Sequence, residues 1–133
     1  MNTQDGIALT GKLTISLNDE IVRETENLVV TAGKEWVTAR MKNTSTVMTH
    51  MAIGTGTVAA AIANTTLGTE LARQALTTSG GTVAGAVITF ATSYAAGTGT
   101  GAITEAGILT AASGGTMLAR TVFGVVNKGT LDT

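Results

Sequence analysis

His50 is the one histidine in the chain, and there is no cysteine. Without Cys there is no thiolate nucleophile, no zinc–thiolate site and no disulfide framework, so the redox compartment stays open. General-base or metal chemistry at His50 needs a second group beside it. The residue stands in Val47-Met-Thr-His-Met-Ala-Ile53, an alternating stretch with no neighbouring acid. It reads as a solvated or partly packed strand residue. A Ser–His–Asp set would have to borrow this same histidine, so the chain is read as not an enzyme.

Asp19, Glu20, Glu24 and Glu26 cluster in sequence and raise the question of calcium. They lack the Asp/Asn-Gly spacing of a calcium loop, and a solvated turn between two strands is expected, with no metal. Gly54-Thr-Gly-Thr57 raises the question of phosphate. A dinucleotide-binding turn follows a strand, opens a helix and meets an acid about 20 residues on. Ile53 could end a strand, Val58 to Ala63 could form a short helix, and Glu70 follows. Ala59 takes the third small position, no βαβ pattern surrounds it, and the loop has no Lys. A turn or bulge is expected, with glycine tolerating positive φ, and no cofactor.

From Asn43 to Asn127 the only charged residues are Glu70, Arg73, Glu105 and Arg120. Glu70 and Arg73 lie three apart. Counting out from a Ser113-Gly114 turn, Ile108 roughly faces Met117 and Glu105 falls opposite Arg120, a plausible cross-strand pair. Two readings stay open. A solvent-exposed pair contributes little; an interface pair sets register with a neighbouring subunit. All four residues are carried forward as candidate interface residues.

The elements that position them are mostly strands. Gly11-Lys-Leu-Thr-Ile-Ser-Leu17 alternates apolar with polar. Asn27-Leu-Val-Val30 is a short strand. Thr82 to Tyr94 is β-branched and aromatic. Ala102 to Leu109 and Thr116 to Phe123 flank Ala112-Ser-Gly-Gly115, a hairpin turn. Thr is the most frequent residue, beside 17 Gly and no Pro, and its branched Cβ favours strands. One helix is predicted from Ala32 to about Lys42, capped by Thr31, with Trp36, Val37 and Met41 on one face. A single domain over 1–133 is expected, with arms at 1–7 and 127–133. The predicted core is Leu13, Ile15, Leu28, Val30, Trp36, Val37, Ile53, Val87, Phe90, Ile108, Leu118 and Phe123.

The hydrophobic fraction is 44%, but aromatics are 3% and much of the rest is Ala, so burial per residue is light. Association with copies of itself or a larger partner would offset that. A net charge of -1 offers no basic face for nucleic acid and no polybasic membrane anchor. No apolar run approaches the roughly 18 to 20 residues of a membrane span. Met-Asn-Thr-Gln-Asp at the N-terminus lacks the pattern of a secretory signal. A chain made and used in the cytoplasm, or on a particle assembled there, is expected. The chain also echoes itself: Gly54-Thr-Gly-Thr57 returns at Gly97-Thr-Gly-Thr100, and Gly68-Thr-Glu-Leu-Ala-Arg73 at Gly115-Thr-Met-Leu-Ala-Arg120. Either a decayed duplication or two similar corners of one β-structure would produce this.

These stretches, Met51-Ala-Ile-Gly-Thr-Gly-Thr57, Leu67-Gly-Thr-Glu-Leu-Ala-Arg73, Ile103-Thr-Glu-Ala-Gly-Ile108, Gly114-Gly-Thr-Met-Leu-Ala-Arg-Thr-Val-Phe123 and Val126-Asn-Lys-Gly129, resemble small structural proteins of tailed bacteriophages. The resemblance runs from about Asn27 to Thr133. It implies a virion component, most directly a capsid cement or decoration protein that binds and stabilises a shell of major capsid protein. It also implies an all-β, jelly-roll-like β-sandwich, mainly antiparallel, on the capsid surface and assembled in the host cytoplasm. A homo-oligomer, dimer or trimer, is expected, with Glu70, Arg73, Glu105 and Arg120 at a subunit or capsid interface. The alternative is a tail-fibre or baseplate-associated attachment protein. Similar proteins run on past Asn-Lys-Gly into another Thr-rich strand; here the sequence gives Thr130-Leu-Asp-Thr133, so that strand is expected to be missing or supplied by a neighbour.

Overall fold

The computed structural model describes residues 1–4 and 8–133, so Asp5 to Ile7 of the expected N-terminal arm lie outside the described residues. The strands are β1 (Lys12–Leu17), β2 (Glu20–Glu26), β3 (Leu28–Val29), β4 (His50–Gly54), β5 (Glu70–Ala75), β6 (Thr82–Ala84), β7 (Val87–Thr89), β8 (Gly101–Leu109) and β9 (Met117–Lys128). The helix is α1 (Thr31–Met41). Five strands form one antiparallel sheet in the order β3-β9-β8-β4-β5. The described residues are therefore mostly β, with antiparallel sheets and one helix.

The ribbon β1–β2 turns at Asn18 and Asp19, both at positive φ (50° and 67°), the backbone that a two-residue hairpin needs and that Asn and Asp tolerate. Leu13, Ile15 and Leu17 point inward while Lys12, Thr14 and Ser16 stay exposed, as the alternation predicts. Of the acidic cluster only Asp19 lies in the turn; Glu20, Glu24 and Glu26 belong to β2. The expected acidic turn is thus an acidic strand, because the two-residue turn leaves room for no more.

Successive residues of β4 point to opposite faces of the main sheet, and both faces are covered. On one, Ile53, Ile103, Ala106 and Val126 pack with Leu13, Leu17 and Val22 of the ribbon and with Tyr94 and Phe123. On the other, Val30, Ala52, Leu67, Leu109 and Met117 cluster with Ala32 at the start of the helix. Small residues at Ala52 and Ala106 let these layers approach closely, which is how a core poor in aromatics still excludes water.

The helix begins at Thr31, one residue earlier than predicted. Val30 is the residue before the first turn, and no side chain caps it, so Thr31 is helical rather than a cap. Ala32, Gly33, Trp36, Val37 and Arg40 form the inner stripe, whereas Met41 is 71% exposed and leaves the predicted face. Gly33 lies directly on the Leu118 carbonyl of β9, with no room for a Cβ. Trp36 Nε1 and Arg40 Nη1 donate to the Thr46 and Ser45 carbonyls at 2.7 Å each, fixing the chain after the helix.

One expectation fails through a turn. The stretch Thr82 to Tyr94 does not extend into the sheet. Gly85, at φ 58°, folds it back, and β6 pairs only with β7. Val87 is accordingly 62% exposed and not in the core. Val58 to Ala63 forms no helix. Residues 129–133 of the expected arm fold onto their own chain: Asn18 Nδ2 donates to Asp132 Oδ1 at 2.8 Å, and the Thr133 N–H to Asn18 Oδ1 at 3.0 Å. Among the described residues no helix is long and apolar enough to cross a membrane.

Candidate functional site

Glu105 and Arg120 stand on the neighbouring strands β8 and β9, but they are not directly opposite. Glu105 pairs with Val122 and Gly107 with Arg120, so the two side chains meet on a diagonal, two residues out of step. The turn count misses this because the hairpin pairs one residue further along at the turn, and the irregularity at Ile108/Leu109, where β9 carries the extra residue Leu118, shifts the register by one more. Leu109, not Ile108, faces Met117. The ion pair closes at 2.8 Å with Glu105 and Arg120 only 0% and 2% exposed. The solvent-exposed reading is therefore corrected. Both side chains face inward within the chain.

The loop between β4 and β5 wraps this pair. Glu105 Oε1 accepts the N–H of Gly56 at 2.9 Å and of Thr69 at 2.7 Å. Oε2 accepts the N–H of Gly68 at 2.8 Å, with Arg120 Nε at 3.0 Å and Nη2 at 2.8 Å. Arg120 in turn donates to the carbonyls of Val58 and Ala59 and to Asn64 Oδ1. An arginine has five N–H donors and a carboxylate about four lone-pair directions, so both groups are saturated. Asn64 Oδ1 also accepts the Ala61 N–H, which ties the tip of the loop.

This settles what the Gly-Thr loop does. Its amides converge on an anion, as they would on a phosphate, but the anion is the chain's own carboxylate. A Cβ at Gly56 would come within 2.5 Å of Glu105 Oε1, and one at Gly54 within 2.6 Å. Glycine is needed there for close approach. Burial pushes the Glu105 carboxyl up. The Thr69 and Gly68 amides, the Arg120 guanidinium and the Gly56 amide outweigh that, and hold it below the usual carboxylate range. A saturated, ionised carboxylate has no proton to give and no lone pair free for a ligand.

Glu70 and Arg73 form the second pair, on β5. It is bidentate: Arg73 Nε and Nη2 each reach both Glu70 oxygens, between 2.6 and 3.2 Å. Arg73 Nη1 also donates to the carbonyls of Ala111 at 2.8 Å and Gly114 at 2.9 Å, in the turn between β8 and β9. The echo in the sequence now has a physical meaning. Arg120 grips the loop that leads into Gly68-Thr-Glu-Leu-Ala-Arg73, and Arg73 grips the turn that leads into Gly115-Thr-Met-Leu-Ala-Arg120. The two Gly-Thr-Gly-Thr segments are not equivalent, since one ends β4 and the other precedes β8. Two similar corners of one β-structure describe this better than a duplication.

His50 is half-buried on β4, and its Nδ1 lies 2.7 Å from Thr49 Oγ1. Neither Glu70–Arg73 nor Glu105–Arg120 contacts it. Sequence reasoning missed Gly56, Gly68, Thr69 and Asn64 as partners of the ion pair. The signal was present: isolated charges in a long uncharged segment need partners, and the Gly-Thr motifs are rich in free amides. An open cleft of about 310 Å³ lies between Asn27–Leu28 and the loop at Thr57–Ala60, with Arg120 in its lining. Arg120 offers it no spare donor. No family model, no curated protein and no solved structure matches the chain.

Proposed function

We propose that this chain is an architectural virion protein, a capsid cement or decoration protein that binds a shell of major capsid protein as a homo-oligomer. The observation that carries the reading is the closed network at Glu105 and Arg120. The residue types best suited to chemistry, and the glycine loop best suited to an anion, are all engaged in holding one loop on one sheet. An architectural role needs a rigid, uncharged surface, and this network supplies one around Val58 to Thr66. The motif resemblance points to the virion. The ribbon β1–β2 packs over one face of the main sheet, a two-layer arrangement that supports the jelly-roll-like sandwich the resemblance implies. The mechanism is additive: each copy buries surface across a seam of the shell, and many copies resist internal pressure by mass action.

The test is the copy number of this chain in separated heads and tails of purified phage particles, by quantitative mass spectrometry. Hundreds of copies with the heads are expected. A handful with the tails assigns the chain to the fibre or baseplate instead. Absence from both overturns the virion reading.

A further inference from the structure

The edges of the main sheet are guarded. On β9, beyond the short pairing with β3, Arg23 Nε and Nη2 donate to the carbonyls of Gly124 and Val125 at 3.0 Å each. On β5, Thr92 Oγ1 donates to the Ala75 carbonyl at 2.6 Å, and the strand carries Glu70 and Arg73. Charges and side-chain bonds of this kind keep edges from pairing with other chains.

The ribbon β6–β7 carries no such guard. It is a sheet of two strands, so each strand has one edge that no other strand pairs among the described residues. The ladder runs Thr82↔Thr89, Val83↔Ile88 and Ala84↔Val87 without a bulge. No charged residue occurs from Gln74 to Thr104, and the chain has no Pro. Val83, Val87 and Ile88 are 73%, 62% and 47% exposed. A two-stranded ribbon is marginal alone, and three or more strands with an apolar face are far better.

We propose that two copies of this chain pair through this ribbon, β6 against β6, into one four-stranded sheet. The occupant is a second copy because the edge is neutral and self-complementary. A two-fold axis lays a strand antiparallel on its own copy, and the residue on the axis meets itself. With Val83 on the axis, Thr82 falls opposite the copy's Ala84. One face then presents the row Ile88, Val83, Val83, Ile88, four directly opposed apolar side chains. No like charges meet in this arrangement, whereas a charged partner strand would find no counter-ion here. Val83 is the most exposed of the ribbon's large apolar residues, which selects β6 over β7. Val83 and Ile88 share one face while Val87, opposite Ala84, lies on the other, so strand-edge pairing covers far less than a standard-size interface and the dimer is weak in solution. On a shell it would add to other contacts through effective concentration. The inference deepens the homo-oligomer of the proposed function, yet needs only the purified chain.

The experiment is sedimentation velocity on the wild type, Val83→Lys, Val83→Glu and an equimolar mixture of the two variants, from about 10 μM to about 1 mM. The wild type is expected to move from monomer to dimer with concentration. Each variant alone stays monomeric with an unchanged thermal midpoint, and the mixture regains the dimer through the opposed charges. A wild type that remains monomeric throughout overturns the proposal. So does a dimer that persists in Val83→Lys, because another surface then makes it. Either result leaves the particle copy number to decide the virion reading separately.

Discussion

Replacing Glu105 by Gln keeps the shape of the side chain and removes its charge. The carboxylate accepts five hydrogen bonds, two at Oε1 and three at Oε2. A glutamine has one oxygen, so its amide nitrogen must face either the loop N–H groups or the guanidinium, donor against donor. Arg120 is then a buried cation with only neutral partners at Val58, Ala59 and Asn64. Removing one member of a buried pair costs about 3–5 kcal/mol. Domains of this size hold about 5–15 kcal/mol in total, so a large share of the stability is lost. At about 3–4 °C per kcal/mol, the thermal midpoint falls by roughly 10–20 °C. Urea unfolding reads this as a lower midpoint with an unchanged slope. A second variant sharpens the argument. Exchanging an isolated buried pair for apolar residues is often neutral or stabilising. Here Glu105→Leu with Arg120→Met also removes the partners of three amides and two carbonyls in part-buried hydrogen bonds, and each group left unsatisfied costs up to about 1–3 kcal/mol. The double variant is therefore expected to remain at least about 2 kcal/mol below wild type, within that same range for orphaned groups. Hydrogen exchange at Gly56, Gly68 and Thr69 should accelerate in both variants. Full recovery of stability in the double variant, or a loss under about 1 kcal/mol in Glu105→Gln, would refute the claim that this pair holds the loop.

The same carboxylate sets an acid limb. Its pKa is lower folded than unfolded, so its contribution is complete above the unfolded value, near 4.3, and disappears as pH falls through the folded one. A pH series of urea midpoints should show a shallower acid limb in Glu105→Gln than in the wild type. Burial, with the charge of Glu70 adding to it, pushes the Tyr94 phenol well above its ordinary value, and its hydroxyl donates to the Met51 carbonyl at 2.6 Å. That raised pKa contributes stability that is complete below the unfolded value, near 10, and declines as pH rises beyond it. Tyr94→Phe should lower stability by about 1–2 kcal/mol at neutral pH and flatten the alkaline limb. Gly33→Ala should cost at least about 1–3 kcal/mol in chemical denaturation, because the new methyl meets the Leu118 carbonyl. Elsewhere in a helix interior that exchange stabilises by about 1 kcal/mol, which makes the sign decisive.

The sequence by itself determined what is local. Alternation placed β1, because a side-chain period of two reports a half-buried strand wherever the chain lies, and the Ala112-Ser-Gly-Gly115 turn placed the β8–β9 hairpin. A run with helical spacing placed α1 to within a residue. The scarcity of charge from Asn43 to Asn127 marked Glu70, Arg73, Glu105 and Arg120 before any contact was visible. Only the tertiary structure decided what those residues do. A one-residue offset at the turn and the extra residue Leu118 in β9 moved Glu105 off the position opposite Arg120, and no turn count contains them. The partners of Glu105 come from Gly56, Gly68 and Thr69, 49, 37 and 36 residues away, so their amides meet the carboxylate only after β4, β5, β8 and β9 have assembled. Val87 shows the converse. Its β-branched side chain suits a core strand, but Gly85 turned the chain back, and the long-range pairing that buries a strand did not follow. Propensity is a property of a residue and its neighbours. Burial and ion pairing are properties of segments distant in sequence, and the fold alone brings those together.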